Sequence, residues 1–374
     1  MSGDDLNIQK GVYSFAQPGQ ELVLECGEKL GSIDIAWESY GHLNKDKSNA
    51  ILVCHALTGD AHVAGKYSPS DTKTGWWDPV VGPGKPLDTN KYFVICSNIL
   101  GGCSGTSGPS SINPNSGEPY AMTFPTITIK DMVNCQKELV QGCFGIKKLV
   151  SVVGGSIGGM QVLKWGVMYP EMLNSIIPIS TTTKLSPQSI AFNKIGRRSI
   201  MLDPKWNNGS YYKDMPELDG LALARMVAHI TYLSEEGMRQ KFGRDSRDRS
   251  IFDMDDSFEV EHYLDHQGYS FIKRFDANSY IYLSKAMDIF DLSRDFDSLE
   301  DALSKIEFKT LTITFSSDWL FSPAQTEEMV ELFQQLGKEI EYHKLESPKG
   351  HDAFLIEYGL INPIITRFLE SVDC

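Results

Sequence analysis

Ser156 stands in the run Leu149-Val150-Ser151-Val152-Val153-Gly154-Gly155-Ser156-Ile157-Gly158-Gly159-Met160. An apolar, β-branched stretch stops at paired glycines, the serine follows, and a segment of helical period begins after two more glycines. Gly-x-Ser-x-Gly in this setting describes a sharp strand-to-helix turn that lifts a serine hydroxyl clear of a sheet. The strained tip needs small residues two before and two after the serine, and Gly154 and Gly158 fill those places. The same turn aims the Ile157 N–H and the start of the helix at a point where negative charge can develop. The chemistry implied is nucleophilic attack by an activated serine.

A serine hydroxyl is a weak nucleophile, so it needs a base, and the base needs an orienting carboxylate. The elbow resembles that of α/β-hydrolases, in which the acid and then the histidine follow the serine along the chain. His343 falls inside a predicted strand. His351, in Pro348-Lys349-Gly350-His351-Asp352-Ala353, falls in the loop after the last strand, where the base belongs. Asp318 ends the strand Thr312-Ile313-Thr314-Phe315-Ser316-Ser317-Asp318 and is the expected acid. Asp352 is adjacent to His351, too close in the chain to reach its Nδ1. The second oxyanion donor, beside Ile157, is expected from Leu57 in His55-Ala56-Leu57-Thr58. His262 and His266 have the i,i+4 spacing of a metal clamp. Tyr263 takes the place of the zincin glutamate and no third ligand is evident, so the pair reads as a polar helix face and no metal is expected. His55 and His62 read as hydrogen-bonding within their loop.

These residues need a sheet to hold them. Residues 21–26 and 32–38 alternate with period two and predict an antiparallel hairpin opening the sheet. Continuous apolar runs at 50–54, 92–96 and 174–180 predict strands buried on both faces, and 127–140 a helix. The glycine-rich loop 98–109 is long for a plain connection, which points to function. Residues 184–295 break the rhythm with helical segments at 188–201, 220–234 and 278–289 and no buried strand. They predict an inserted helical lid, leaving 1–183 and 296–374 as the core. Strand 309–315, helix 323–336, strand 340–345 and helix 358–372 complete it. The alternation predicts an α/β fold: a mostly parallel sheet with helices on both faces and a site outside the carboxyl ends of the strands.

Composition bounds the rest. The chain has 374 residues and a net charge of −14. Such an acidic surface argues against nucleic-acid or anionic-membrane partners. Seven cysteines without a C-x-x-C read as buried or free thiols of a reducing compartment. No apolar run reaches membrane-spanning length and the first residues carry no signal-peptide pattern, so a cytoplasmic protein is expected.

Four motifs together are more specific than the elbow. Leu57-Thr58-Gly59-Asp60-Ala61-His62, Gly101-Gly102-Cys103-Ser104-Gly105-Thr106-Ser107-Gly108-Pro109, Gly155-Ser156-Ile157-Gly158-Gly159-Met160-Gln161 and Gly350-His351-Asp352-Ala353-Phe354-Leu355 resemble the homoserine O-acetyltransferase family of the α/β-hydrolase fold. Asp203-Pro204-Lys205-Trp206-Asn207-Asn208-Gly209 extends the resemblance into the insertion. The family pattern has Thr-Thr-Gly-Pro where this chain has Thr106-Ser107-Gly108-Pro109. The resemblance implies transfer of acetyl from acetyl-CoA, as co-substrate with no permanently bound cofactor, to L-homoserine in methionine biosynthesis. It implies a homodimer through lid helices, a triad of Ser156, Asp318 and His351, and amino-acid binding by Arg225, Tyr232 and Asp352. Arg225, His229 and Tyr232 are spaced to share one helix face. An arginine there can hold a carboxylate, and its apolar flanks predict a buried, paired side chain. A serine esterase would carry the same triad, and relatives that use succinyl-CoA or accept on serine share the fold. A catalytically dead binding module is the remaining class.

Overall fold

The computed structural model describes residues 6–246 and 257–372. Its strands are β1 (Gln9–Phe15), β2 (Leu22–Val23), β3 (Lys29–Leu30), β4 (Ile33–Tyr40), β5 (Ala50–Cys54), β6 (Phe93–Ser97), β7 (Ser151–Gly155), β8 (Ser175–Ile179), β9 (Lys309–Phe315) and β10 (Ile340–Leu345). All but β2 and β3 form one eight-stranded sheet in the order β1-β4-β6-β5-β7-β8-β9-β10. The ladders from β6 to β10 are parallel, and β4 runs antiparallel to both its neighbours. Strands β5, β7 and β8 are buried along their whole length, as expected of parallel strands covered on both faces.

Side chains alternate between two cores. Leu52, Ile95, Val152 and Ile176 face helices α1 (Ile129–Glu138) and α2 (Ile157–Met168). Ile51, Val53, Val153, Ile177 and Ile313 face α11 (Tyr358–Val372), through Ile361, Ile365 and Phe368. A one-residue slip of any central strand would exchange these sets, so burial on both faces specifies register through side-chain shape.

The opening hairpin expected between 21–26 and 32–38 does not form. β4 pairs instead with β1, in a register that sets Val12 opposite Ala36, while Leu22–Val23 pair with Lys29–Leu30 in a separate two-stranded ribbon. β1 is an edge strand whose Val12 is exposed, so it lacks the apolar alternation that would mark it. The chain also turns at Gly27 and at Ser32, both at positive φ, which separates β4 from the ribbon.

Between β8 and β9 lies the helical insertion: α3 (Pro187–Leu202), α4 (Asp219–Tyr232), α5 (Glu235–Phe242), α6 (Glu259–Phe271) and α7 (Ala277–Ile289). α4 packs between α3 and α6. α5 was not expected from the sequence, whereas α6 carries His262 and His266, the pair that reads as a polar helix face. The two ends of the insertion are tied where Leu292 N–H donates to Thr183 O at 2.8 Å and the backbones of Lys184 and Asp291 form an isolated antiparallel β-bridge. Asp295 then anchors it to the core through Lys130 (3.0 Å) and the buried Lys164 (2.8 Å). Helices α8 (Leu299–Ser304), α9 (Pro323–Gln335) and α10 (Ala353–Ile356) complete the chain. No helix among the described residues is long and apolar enough to cross a membrane. The expected polar start at residues 1–5 and Cys374 lie outside the described residues; Cys54, Cys96 and Cys135 are buried free thiols.

Candidate active site

Ser156 ends β7 and starts α2 with φ 61° and ψ −126°, the strained backbone that its flanking glycines anticipate. A Cβ on Gly158 would lie 2.2 Å from Cys54 O, and one on Gly154 2.7 Å from the same oxygen. Neighbouring β5 therefore excludes any side chain at either place. Ser156 N–H donates to Ile179 O at 3.0 Å, and Thr181 Oγ1 donates to Ser156 O at 2.9 Å. The strained peptide is thus held from β8. Leu57, Ser156, Tyr232, Tyr280 and Phe321 line a cavity of about 40 Å³, room for only a few waters.

Asp318 follows β9 and is 1% exposed. Its Oδ1 accepts the Leu320 N–H at 3.1 Å and the Phe321 N–H at 3.0 Å, which leaves Oδ2 turned to His351 Nδ1 at 2.7 Å. His351 lies on the single turn Gly350–Asp352 after β10. Its ring sits among Phe321, Phe354 and Tyr232, with centroids 5.0, 5.6 and 6.1 Å away. The other ring nitrogen, Nε2, is buried and has no hydrogen-bond partner among the described residues. Asp352 does not bond to Nδ1, in keeping with its place next in the chain.

The helical insertion closes over this ring. Gly350 has φ 66°, and a Cβ there would lie 2.6 Å from both Tyr232 O and Ser234 N. Trp319 Nε1 donates to Leu233 O at 2.9 Å, and Ser234 Oγ donates to Pro348 O. The end of α4 is thereby seated on the loop that carries His351.

Arg225, His229 and Tyr232 share one face of α4, as their spacing requires. Arg225 is buried as expected, but no carboxylate among the described residues lies within ion-pair distance of it. Its guanidinium lies 4.7 Å from the Phe271 ring centre and 5.6 Å from that of Tyr232, and Nη1 donates to Thr58 Oγ1 at 3.4 Å. Ring faces attract a cation and replace part of its lost hydration. Its Nε is buried and has no hydrogen-bond partner among the described residues. Burial, with Arg225, Lys241 and Arg274 nearby, pulls the His229 imidazole down to about 3, so His229 stays neutral and bonds to the Tyr263 hydroxyl at 3.0 Å. Burial holds the Asp352 carboxyl above its ordinary range, against the opposing pull of His351 and Arg225.

Leu57 is the second residue of the turn Ala56-Leu57-Thr58-Gly59, closed by Gly59 N–H to Ala56 O at 2.9 Å. His55 bonds to Ala56 O through Nδ1 (2.7 Å) and accepts the Ile99 N–H at Nε2 (3.2 Å), so it ties two loops together. Burial lowers its pKa, consistent with a neutral acceptor nitrogen. His62 bonds to the Gly65 backbone of its own loop and also reaches beyond it to pair with buried Glu38 of β4 at 3.0 Å. Glu38 also accepts from Tyr40 and Tyr67. Burial raises its carboxyl, and these bonds outweigh that and bring it below the usual range. This cluster had no signal in the sequence, because its members come from β4 and from the loop between β5 and β6.

The glycine-rich loop holds β4 and the chain just beyond the turn rather than lining the cavity. Asn98 Oδ1 accepts the Ala61 N–H at 2.8 Å, Thr106 Oγ1 the Ala36 N–H at 3.0 Å, and Ser107 Oγ the Asp34 N–H at 2.9 Å. A threonine at position 107 would offer the same hydroxyl, so the one difference from the family pattern keeps the acceptor. No group of three or more metal-ligating side chains occurs among the described residues.

The strand order, the elbow and the histidine–aspartate pair beyond the strand ends define a protein of the α/β-hydrolase class. A sequence profile of the alpha/beta hydrolase fold matches residues 49–358. Homoserine O-acetyltransferase of Methanohalobium evestigatum is 54% identical over 366 residues, 97% of this chain and 74% of the relative. A crystal structure of homoserine O-acetyltransferase from Bacillus anthracis superposes with a TM-score of 0.91 at 34% identity, covering 97% of each chain. An esterase structure superposes with a TM-score of 0.88 at 30% identity, over 97% of this chain and 100% of that one. The chain belongs to the homoserine O-acetyltransferase family.

Proposed function

We propose that this protein moves an acetyl group from acetyl-CoA to the side-chain hydroxyl of L-homoserine, a step of methionine biosynthesis, by a two-step ping-pong route. The observation that carries the reading is the His351 ring, which donates through Nδ1 to Asp318 and keeps a buried Nε2 with no partner among the described residues. In the first step Nε2 takes the Ser156 proton as Oγ adds to the thioester carbon. The Leu57 and Ile157 N–H groups hold the oxyanion. His351 returns the proton to the departing thiolate, and acetyl remains on Ser156. L-homoserine then enters, its carboxylate on Arg225 and Tyr232 and its ammonium on Asp352. His351 takes the hydroxyl proton as the oxygen attacks the acyl-serine, and returns it to Ser156 Oγ. Loss of one oxyanion donor costs about 100- to 1,000-fold in rate in such reactions.

The helical insertion acts as a lid in this scheme. The small cavity at Ser156 limits how much water can reach an acyl-serine. Ile195, Leu202, Leu223, Ile230 and Tyr269 expose apolar surface on the lid helices, which suits a homodimer formed there. The buried free thiols suit a reducing cytoplasm. Rapid mixing with acetyl-CoA alone tests the route: one CoA released per site and an acetylated Ser156 by mass spectrometry are expected. A sequential pattern without acyl-enzyme would exclude it. The likeness to an esterase favours one other reading, hydrolysis of small esters. Comparing acetyl-CoA hydrolysis with transfer to L-homoserine separates the two.

A further inference from the structure

Arg274, in the loop between α6 and α7, reaches from the insertion to the core. Its Nη1 donates to Thr58 O at 3.1 Å. Thr58 is the third residue of the turn that begins at Ala56, and the closing bond of such a turn does not use the N–H of its second residue. That residue is Leu57, whose N–H meets no acceptor among the described residues. The turn is held at its near end by His55 on Ala56 O and within by Gly59 on the same oxygen. At its far side the holds are Arg274 on the Thr58 carbonyl and, more weakly at 3.4 Å, Arg225 on the Thr58 hydroxyl. The Arg274 guanidinium is itself steadied 5.1 Å from the Phe271 ring, the same ring that borders Arg225.

We propose that Arg274 is a positioning residue for the oxyanion hole: it clamps the Thr58 carbonyl from the lid and so keeps the Leu57 N–H turned into the site. This rests on the oxyanion role given to Leu57 above. It ties acylation to a seated lid, because the clamp exists only while the α6–α7 loop lies against the turn. The clamp is one charge-assisted hydrogen bond at a partly exposed position, so its loss is expected to slow acylation about tenfold, less than removal of a donor itself.

The test measures single-turnover acylation of Ser156 by acetyl-CoA and by p-nitrophenyl acetate, together with inactivation by a serine-directed phosphonate. Wild-type protein, Arg274→Gln and Arg274→Lys are compared, with thermal unfolding as a control on folding. Arg274→Gln is expected to slow all three reactions in parallel, about tenfold, with the homoserine KM within twofold of wild type. Arg274→Lys, which can still donate to the carbonyl, is expected to recover most of the rate. A raised homoserine KM with unchanged acylation would make Arg274 a carboxylate ligand and overturn the proposal. Loss confined to acetyl-CoA would make it a contact for the anionic donor and overturn it equally, as would unchanged rates throughout. If wild-type protein forms no acyl-enzyme from either donor, the reaction proposed above fails, and the phosphonate rates alone decide the role of Arg274.

Discussion

His351 Nδ1 and Asp318 Oδ2 lie 2.7 Å apart, with both side chains almost wholly buried. The second aspartate oxygen is spent on the Leu320 and Phe321 N–H groups, so the carboxylate has one orientation and the imidazole one ring rotation. Asp318→Asn would preserve the shape and lose the selection of the tautomer. The expected result is acylation slowed by about 10,000-fold with an unchanged fold, read from pre-steady-state CoA release and circular dichroism. Near-normal rates would show that His351 is not the base.

Arg225 carries its charge into a site lined by Phe271 and Tyr232. Arg225→Ala is expected to leave the CoA burst intact and to raise the homoserine KM about 100-fold, the scale of a lost buried charge partner. An unchanged acceptor KM would refute the carboxylate role.

Asp352 presents a pH signature. Burial raises its carboxyl, so over the interval between its unfolded and folded values the native protein binds more protons than the unfolded chain. Stability attributable to this group therefore falls as pH rises through that interval. Asp352→Asn is expected to raise Tm at neutral pH while raising the homoserine KM. In the wild type the KM should climb as pH falls through the elevated carboxyl value, because the neutral acid no longer holds the ammonium. A pH-independent acceptor KM, or a lowered Tm for the variant, would count against the assignment.

Lys164 and Asp295 join core to insertion, the lysine 4% and the aspartate 33% exposed at the side chain. Removing the acid leaves a buried cation unpaired. Asp295→Ala is expected to cost about 2 kcal/mol in urea unfolding, tempered by the exposure of the acid, whereas Lys164→Met should be near neutral. Equal losses from the two variants would contradict this asymmetry.

Gly158 tests the elbow itself. Gly158→Ala would place a methyl 2.2 Å from the Cys54 carbonyl, a backbone atom that cannot step aside. A loss of about 3 kcal/mol or more is expected, with Ser156 inactive toward phosphonate. A stable, fully labelled variant would show that β5 moves.

Local chemistry settled much of this protein. Continuous apolar runs marked β5, β6, β7 and β8, because strands buried on both faces have no polar side to disguise them. The nucleophile elbow was legible because its strain and its crowding against Cys54 O leave only glycine at two fixed places. Asp318 and His351 were picked out by resemblance to the α/β-hydrolase order, in which acid and histidine follow the serine, together with their places after two strands. Tertiary structure decided what depends on distant neighbours. β1, an exposed edge strand, became the partner of β4 only because the sheet offered it an edge. The Glu38–His62–Tyr67 cluster, the turn toward β4 of Ser107, and the reach of Arg274 to Thr58 join segments far apart in the chain. Such contacts leave no period or spacing in a sequence, since they are fixed by packing rather than by local backbone preference.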